Sequence, residues 1–207
     1  IDLVGEETGI LPTEVWKEKN VGEKWYLGDT FIYGIGQGYL LTTPLQVNSW
    51  AETIANGGTL YRPHLLKKGK PESIRAKFLS ETTIALIREG MVKACSDGGT
   101  AYPLFHFTVT NPKLPLDGKN YLAVQKSSVS AKLKPEAMRE IQVGCKTGTA
   151  QHGGEKTLPH AWITAYAPAY KPQVVVTVLV ESGGEGSTVA GPIAKKVLEA
   201  YFSKLGN

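Results

Sequence analysis

The 207-residue chain has two cysteines, two methionines and no long apolar run, and each shortage removes a class of protein. Two cysteines are too few for a disulfide scaffold, and neither Lys93-Ala94-Cys95 nor Val143-Gly144-Cys145 has metal-ligand spacing. Cys95 and Cys145 are therefore expected as small buried hydrophobes. The longest apolar strand, Val174 to Val180, is interrupted by Thr177. It falls far short of the ~20 residues of a membrane span, so no anchor is encoded here. The chain opens on Ile1-Asp2-Leu3, with neither an initiator Met nor a basic-then-apolar leader, as expected of a mature or excised piece. His64, His106, His152 and His160 show no i, i+4 pairing and no adjacent Cys or carboxylate cluster, so no metal and no cofactor is implied. The net charge is +4. Its basic residues are scattered (Lys67-Lys68, Lys132 to Lys134, Lys195-Lys196) without interleaved aromatics, which reads as solvated faces and not as a nucleic-acid surface.

What is present suits one folded domain: 42% apolar and 20% charged residues over a length that can bury a sizeable core. The first forty residues hold Trp16, Trp25 and Tyr26 between turns and keep no period, which predicts a packed, irregular segment. A helix is predicted from Thr43, where Thr-Pro-Leu-Gln supplies a capping box with Pro44 at the first helical position. Its apolar stripe runs Leu45, Val47, Trp50, Ala51, Ile54, and Asn56-Gly57-Gly58 ends it. Leu60 to Leu66, containing Pro63, is an edge strand or no strand. A second helix begins after Ser80, burying Ile84, Ile87, Met91 and Ala94, and stops at Asp97-Gly98-Gly99. Residues 102 to 133 have no dependable period, and a short helical piece is read at Pro135 to Arg139. Three strand-like runs follow, Ile141 to Ala150, Ala161 to Ala167 and Gln173 to Glu181, with linkers short enough for antiparallel hairpins. A last helix from Thr188 to Lys204, capped by Ser187, turns Ile193, Val197, Leu198, Tyr201 and Phe202 inward. The expected fold is α+β, an antiparallel sheet of about three strands covered by helices.

Lys146-Thr147-Gly148-Thr149-Ala150 carries the clearest chemistry. A phosphate-cradling loop needs glycines before the Lys and a helix after it, whereas Gln151-His152-Gly153-Gly154 leads into another strand. On an edge strand lining a cleft, Lys146 supplies positive charge and Thr147 and Thr149 supply hydroxyls for a carboxylate. Gly148 lets a ligand backbone come close. These are the needs of a peptide-like substrate ending in a carboxylate. The bare tripeptide alone is better read as an exposed strand end, so its context has to decide. Trp162, at strand spacing, is read as core, and Glu155, Asp29 and Asp97 form no acid/base pair.

That context resembles the class B, monofunctional, elongation-type penicillin-binding proteins. The carrying segments are Ile1-Asp2-Leu3-Val4-Gly5-Glu6 through Gly9-Ile10-Leu11-Pro12, and Gly28-Asp29-Thr30 with Gly34-Ile35-Gly36-Gln37-Gly38-Tyr39 and Thr43-Pro44-Leu45-Gln46. Gly99-Thr100-Ala101 and Lys146-Thr147-Gly148-Thr149-Ala150-Gln151 complete the set. The resemblance covers most of the chain outside about 102 to 140, a stretch expected to be an insertion near the cleft entrance or a loop. It implies that residues 1–207 are the C-terminal portion of a transpeptidase domain with a serine β-lactamase/D,D-transpeptidase-like fold. It further implies a peptidoglycan D,D-transpeptidase that crosslinks stem peptides, binds β-lactam antibiotics and works at the outer face of the cytoplasmic membrane. By the same resemblance Lys146 is catalytic, hydrogen-bonding the serine of a second motif, and Thr147, Gly148 and Thr149 bind substrate, the Thr149 N–H being one oxyanion donor.

The chain also departs from the family. No serine is followed three residues later by Lys, and there is no Ser-x-Asn: Ser73 meets Ala76, Ser80 meets Thr83, Ser128 meets Ala131, and Ser130 meets Leu133. The nucleophile, its lysine and the middle motif are expected upstream of residue 1, in a missing N-terminal part of the same protein. The 207 residues alone are expected to be inactive. Cys145 stands where a small residue, commonly Gly, precedes the lysine, and strand alternation turns it away from Lys146. Two other readings compete: a non-catalytic β-lactam-sensing or cell-wall-binding domain, and a serine β-lactamase relative. An uncovered apolar face and an exposed sheet edge would make the isolated chain self-associate.

Overall fold

In the computed structural model the described residues are 4–67, 69–124, 137–154 and 156–205. The first forty residues are more regular than their sequence suggests. They hold two eight-residue helices, α1 (Glu14–Val21) and α2 (Leu27–Gly34). Thr13 caps α1 by accepting from the Trp16 N–H, and Gly22 ends it in the left-handed conformation (φ 80°). Both helices are too short to display a period. What joins them is the Lys17 ammonium, 3% exposed, which donates to Asp29 Oδ2 at 2.7 Å and lies 4.7 Å from the Tyr26 ring centroid. The pair raises the pKa of Lys17 and, by the same hydrogen bond, lowers that of Asp29.

The two capped helices lie where expected. In α3 (Pro44–Ala55), Thr43 and Gln46 form the reciprocal capping box. In α4 (Glu81–Ala94), Ser80 accepts from the Thr83 N–H. Their inward faces differ from the apolar stripes. α3 fully buries Ser49, Ala51, Thr53 and Ala55 and leaves Trp50 half-exposed. The Ser49 and Thr53 hydroxyls can be buried because each donates to the carbonyl four residues back. α4 buries Ile84, whereas Ile87 is 40% exposed. Between the helices, β1 (Leu60–Tyr61) and β2 (Ser73–Arg75) form a small antiparallel pair.

The run from Ile141 to Ala150 belongs to two sheets. β5 (Met138–Ile141) lies between β3 (Thr108–Thr110) and β4 (Tyr121–Ala123) in order β3-β5-β4. Met138 and Arg139, expected in a helical piece, are therefore strand, while positions 125 to 136 lie outside the described residues. Arg139, 8% exposed, donates to the carbonyls of Leu114 and Pro112, which ties the irregular 111–117 segment to this sheet. The main sheet is β6 (Gly144–Ala150), β7 (His160–Ala167) and β8 (Val174–Val180), antiparallel in order β6-β7-β8. Both hairpins match the expected linkers.

One face of this sheet packs on α5 (Gly191–Lys204), preceded by a π turn at Gly186–Ala190 in place of the expected cap at Ser187. Ala161, Ile163, Ala165 and Cys145 meet Ala194, Leu198 and Phe202 in one buried cluster. Leu198 and Phe202 point inward as expected. Ile193, Val197 and Tyr201 instead form an outward stripe, 43%, 45% and 37% exposed.

Cys95 and Cys145 are buried as expected, but they are not independent hydrophobes: they form a disulfide across 50 residues, with Cα atoms 5.8 Å apart. Spacing could not announce it, because α4 and β6 meet only in the folded chain. Closing a loop of that length corresponds to about 4 kcal/mol of unfolded-state entropy. The denatured, unreduced protein should take up no iodoacetamide and the reduced protein two equivalents. Reduction should also lower the unfolding free energy by up to about 4 kcal/mol in denaturant titration.

Candidate active-site wall

The sequence-predicted residues sit together on β6, which among the described residues is an edge strand of the main sheet. Register assigns their faces. Lys146 stands opposite Thr164, which stands opposite Thr177, so the three share the face covered by α3. There Asn48 Nδ2 donates to Thr177 Oγ1 at 3.2 Å, and the Thr164 and Thr177 hydroxyls are 2.9 Å apart. Thr147 and Thr149, opposite Ile163 and Ala161, lean to the α5 face.

The backbone completes the picture. The carbonyl of Thr149 accepts from Gln37 Nε2 at 2.9 Å, and the carbonyl of Thr147 accepts from the Lys146 ammonium. Both carbonyls therefore point away from β7. In an antiparallel strand a residue's N–H and C=O point the same way, so the N–H groups of Thr147 and Thr149 also face the free edge. An extended ligand laid along β6 would meet these donors, the Lys146 charge and the two hydroxyls without any rearrangement of the sheet. Gly148 lies opposite Trp162, whose Cβ would be 3.2 Å from a Cβ at Gly148. Trp162 is half-buried on the site's face, not core.

Two residues with no sequence-assigned role support the wall. Gln37 comes from the loop after α2, where Gly36 and Gly38 adopt φ of 75° and 79°, a conformation that favours glycine. Thr100 Oγ1 lies 2.9 Å from Thr147 Oγ1. Both lie in segments singled out by resemblance, but their partners, 112 and 47 residues away, cannot be read from spacing.

The family model for the penicillin-binding protein transpeptidase domain matches residues 1–199. The chain belongs to this family. Its relatives include the peptidoglycan D,D-transpeptidase MrdA of Haemophilus influenzae, 31% identical over 99% of this chain, and PbpA of Mycobacterium tuberculosis, 34% identical over 80%. Among solved structures it is similar to Pseudomonas aeruginosa PBP2 in complex with WCK 5153 (30% identity, TM-score 0.72, all of this chain and 41% of that one). It is also similar to Helicobacter pylori PBP2 in complex with MreC (33%, TM-score 0.69, 98% and 32%). The chain spans 30% of the length of the MrdA relative. As part of a class B transpeptidase domain, it has the expected fold class, helices on antiparallel sheets of the β-lactamase/transpeptidase type.

Away from the wall, His106 bridges two carboxylates, Asp97 and Glu140, each at 3.0 Å, and Asp97 first and Glu140 second raise its pKa. His152 and His160 stack at 3.7 Å beside the end of β6, His152 Nε2 donating to the Leu158 carbonyl and His160 Nδ1 accepting from the Ser182 N–H. Among the described residues no group of His, Cys, Asp or Glu is arranged to hold a metal ion.

Gly186 is the tightest packing point behind the wall. A Cβ there would overlap the carbonyls of Trp162 and Gly148. Gly186→Ala should therefore displace the β6–β7 hairpin and lower stability by about 1–3 kcal/mol, measured by urea unfolding.

Proposed function

We propose that this chain is the C-terminal portion of a transpeptidase domain and supplies one wall of the active site of a peptidoglycan D,D-transpeptidase. The observation that carries the reading is the free edge of β6. Lys146, the Thr147 and Thr149 hydroxyls and two outward N–H groups converge there, with Gln37 reaching over from a second signature segment. In this reading a serine of the parent polypeptide attacks the penultimate D-Ala carbonyl of a stem peptide. Terminal D-Ala leaves, and an amine of a neighbouring strand takes the acyl group from the serine. The 207 residues hold no Ser-x-x-Lys, so the reading assigns the nucleophile to another part of the protein, and this segment alone does not acylate.

Within that site Lys146 hydrogen-bonds the serine of the middle motif and adds positive potential near the substrate carboxylate. Thr147 and Thr149 hold the carboxylate, Gly148 admits the ligand backbone, and the Thr149 N–H stabilises the oxyanion, a contribution of about 3 kcal/mol for one such donor. β-Lactams occupy the same edge and acylate the same serine. Relatives named as peptidoglycan D,D-transpeptidases support the reading. It locates the protein in the bacterial cell envelope, at the outer face of the cytoplasmic membrane. Among the described residues no helix is long and apolar enough to cross a membrane. In the full-length protein, Lys146→Ala should slow acylation by fluorescent penicillin by roughly 10- to 100-fold, the value of a charged hydrogen bond; unchanged labelling refutes the role given to Lys146.

The N-terminal part of the parent protein is also its proposed structural partner. Among the described residues β8 is the sheet's other edge, Ile193, Val197 and Tyr201 are exposed along α5, and Leu27, Phe31 and Ile35 are exposed on and after α2. Such surfaces associate when left uncovered. The isolated 207-residue polypeptide should sediment as dimers or larger species in dilute solution; a stable monomer in equilibrium sedimentation counts against this.

A further inference from the structure

Gly99-Thr100-Ala101 is one of the segments through which the chain resembles its family, yet the proposed reading of the wall gives Thr100 no part in recognition. Its hydroxyl lies 2.9 Å from that of Thr147. A carboxylate only accepts hydrogen bonds. If the Thr147 hydroxyl donates to a carboxylate, its single proton is spent there, and the bond between the two threonines must run from Thr100 Oγ1–H to the Thr147 oxygen. Thr100 then holds the Thr147 proton toward the ligand instead of leaving the hydroxyl to rotate.

The segment carrying Thr100 is built to hold that position. The Cys95–Cys145 disulfide joins the end of α4 to β6 two residues before Thr147, on the same side of the strand by alternation. The Gly99 N–H donates to the Ser96 carbonyl at 2.8 Å and the Ala101 N–H to the Ala94 carbonyl at 2.9 Å. A Cβ at Gly99 would overlap the carbonyls of Lys93 and Ala94, and Ala101 is wholly buried. Thr100 is thus the exposed member of a tightly tied turn, aimed at the wall.

We propose that Thr100 is a positioning residue for carboxylate recognition, acting through Thr147. The inference rests on the transpeptidase reading above. The test uses the full-length protein and two probes, a penicillin with its free carboxylate and the same penicillin as its methyl ester. The measured quantity is the ratio of their second-order acylation rate constants. Thr100→Val should lower that ratio roughly 3- to 10-fold, the value of one partly solvated hydrogen bond. Thr100→Ser should recover most of it. In a Thr147→Val background, Thr100→Val should cause no further loss, as for residues acting on one interaction. If Thr147→Val leaves the ratio unchanged, or the unsubstituted protein does not acylate, the transpeptidase reading of the wall fails and this inference with it. If Thr147→Val lowers the ratio while Thr100→Val does not, the reading stands and the role of Thr100 is overturned. Equal slowing of both probes by Thr100→Val, or equal loss in both backgrounds, marks a merely structural residue and also overturns it.

Discussion

Among the described residues β6 is paired along one side and not along the other, and this is the constraint on which the site depends. The β7 ladder holds Gly144 to Ala150 in unbroken register, so the backbone groups of Thr147 and Thr149 must point outward. A slip of one residue would turn Lys146 toward the buried face against α5 and lift Thr147 out of reach of Thr100, which makes any other register costly. An open edge invites indiscriminate pairing. Here the Thr147 and Thr149 carbonyls are already occupied by Lys146 and Gln37, while the pleat leaves their N–H groups outward. The edge is thus closed to a full β-ladder while its donors stay available to a carboxylate or an oxyanion.

The two faces of the sheet serve different ends. On the α5 face, alanines at 161, 165 and 194 allow close approach, and Ile163, Leu198 and Phe202 fill the space. This is the jigsaw packing that gives the sheet a single position. On the α3 face the ladder Lys146, Thr164, Thr177, Asn48 keeps polar atoms partnered beneath a charged residue, which a buried apolar surface could not do. The disulfide and the Gly186 contact fix the strand from behind at both ends of the motif. The wall is therefore preformed, with its orientation set by packing and not by the ligand.

How much of this was legible follows from the range of each interaction. Strand-like runs and short linkers announced β6, β7 and β8, and capping residues at Thr43 and Ser80 announced α3 and α4, because those signals lie within a few residues. The motif's place on a strand was readable as well, and that strand context excluded a phosphate loop. α1 and α2 were not readable: eight residues show no period, and the ion pair that joins them links positions 17 and 29. The disulfide was missed for the same reason, as were Gln37 and Thr100, whose partners lie on a strand more than forty residues on.

The misassigned face of α5 has a different cause. Ile193, Val197 and Tyr201 share one stripe and Ala194, Leu198 and Phe202 another, so the helix is apolar over more than one side, and hydropathy alone cannot say which side meets this sheet. Side-chain size decides it. A helix crossing a sheet that carries Ala161 and Ala165 packs most closely through its smaller residue, Ala194, with Leu198 and Phe202 reaching into the gaps. Ile193, Val197 and Tyr201 are left on the outward side. A helix with two apolar faces is suited to a position between two layers, and the chain accounts for 30% of the length of its MrdA relative. In the proposed reading the outward stripe and the β8 edge, unpaired among the described residues, meet the rest of a larger domain, while the opposite edge of the sheet takes the substrate.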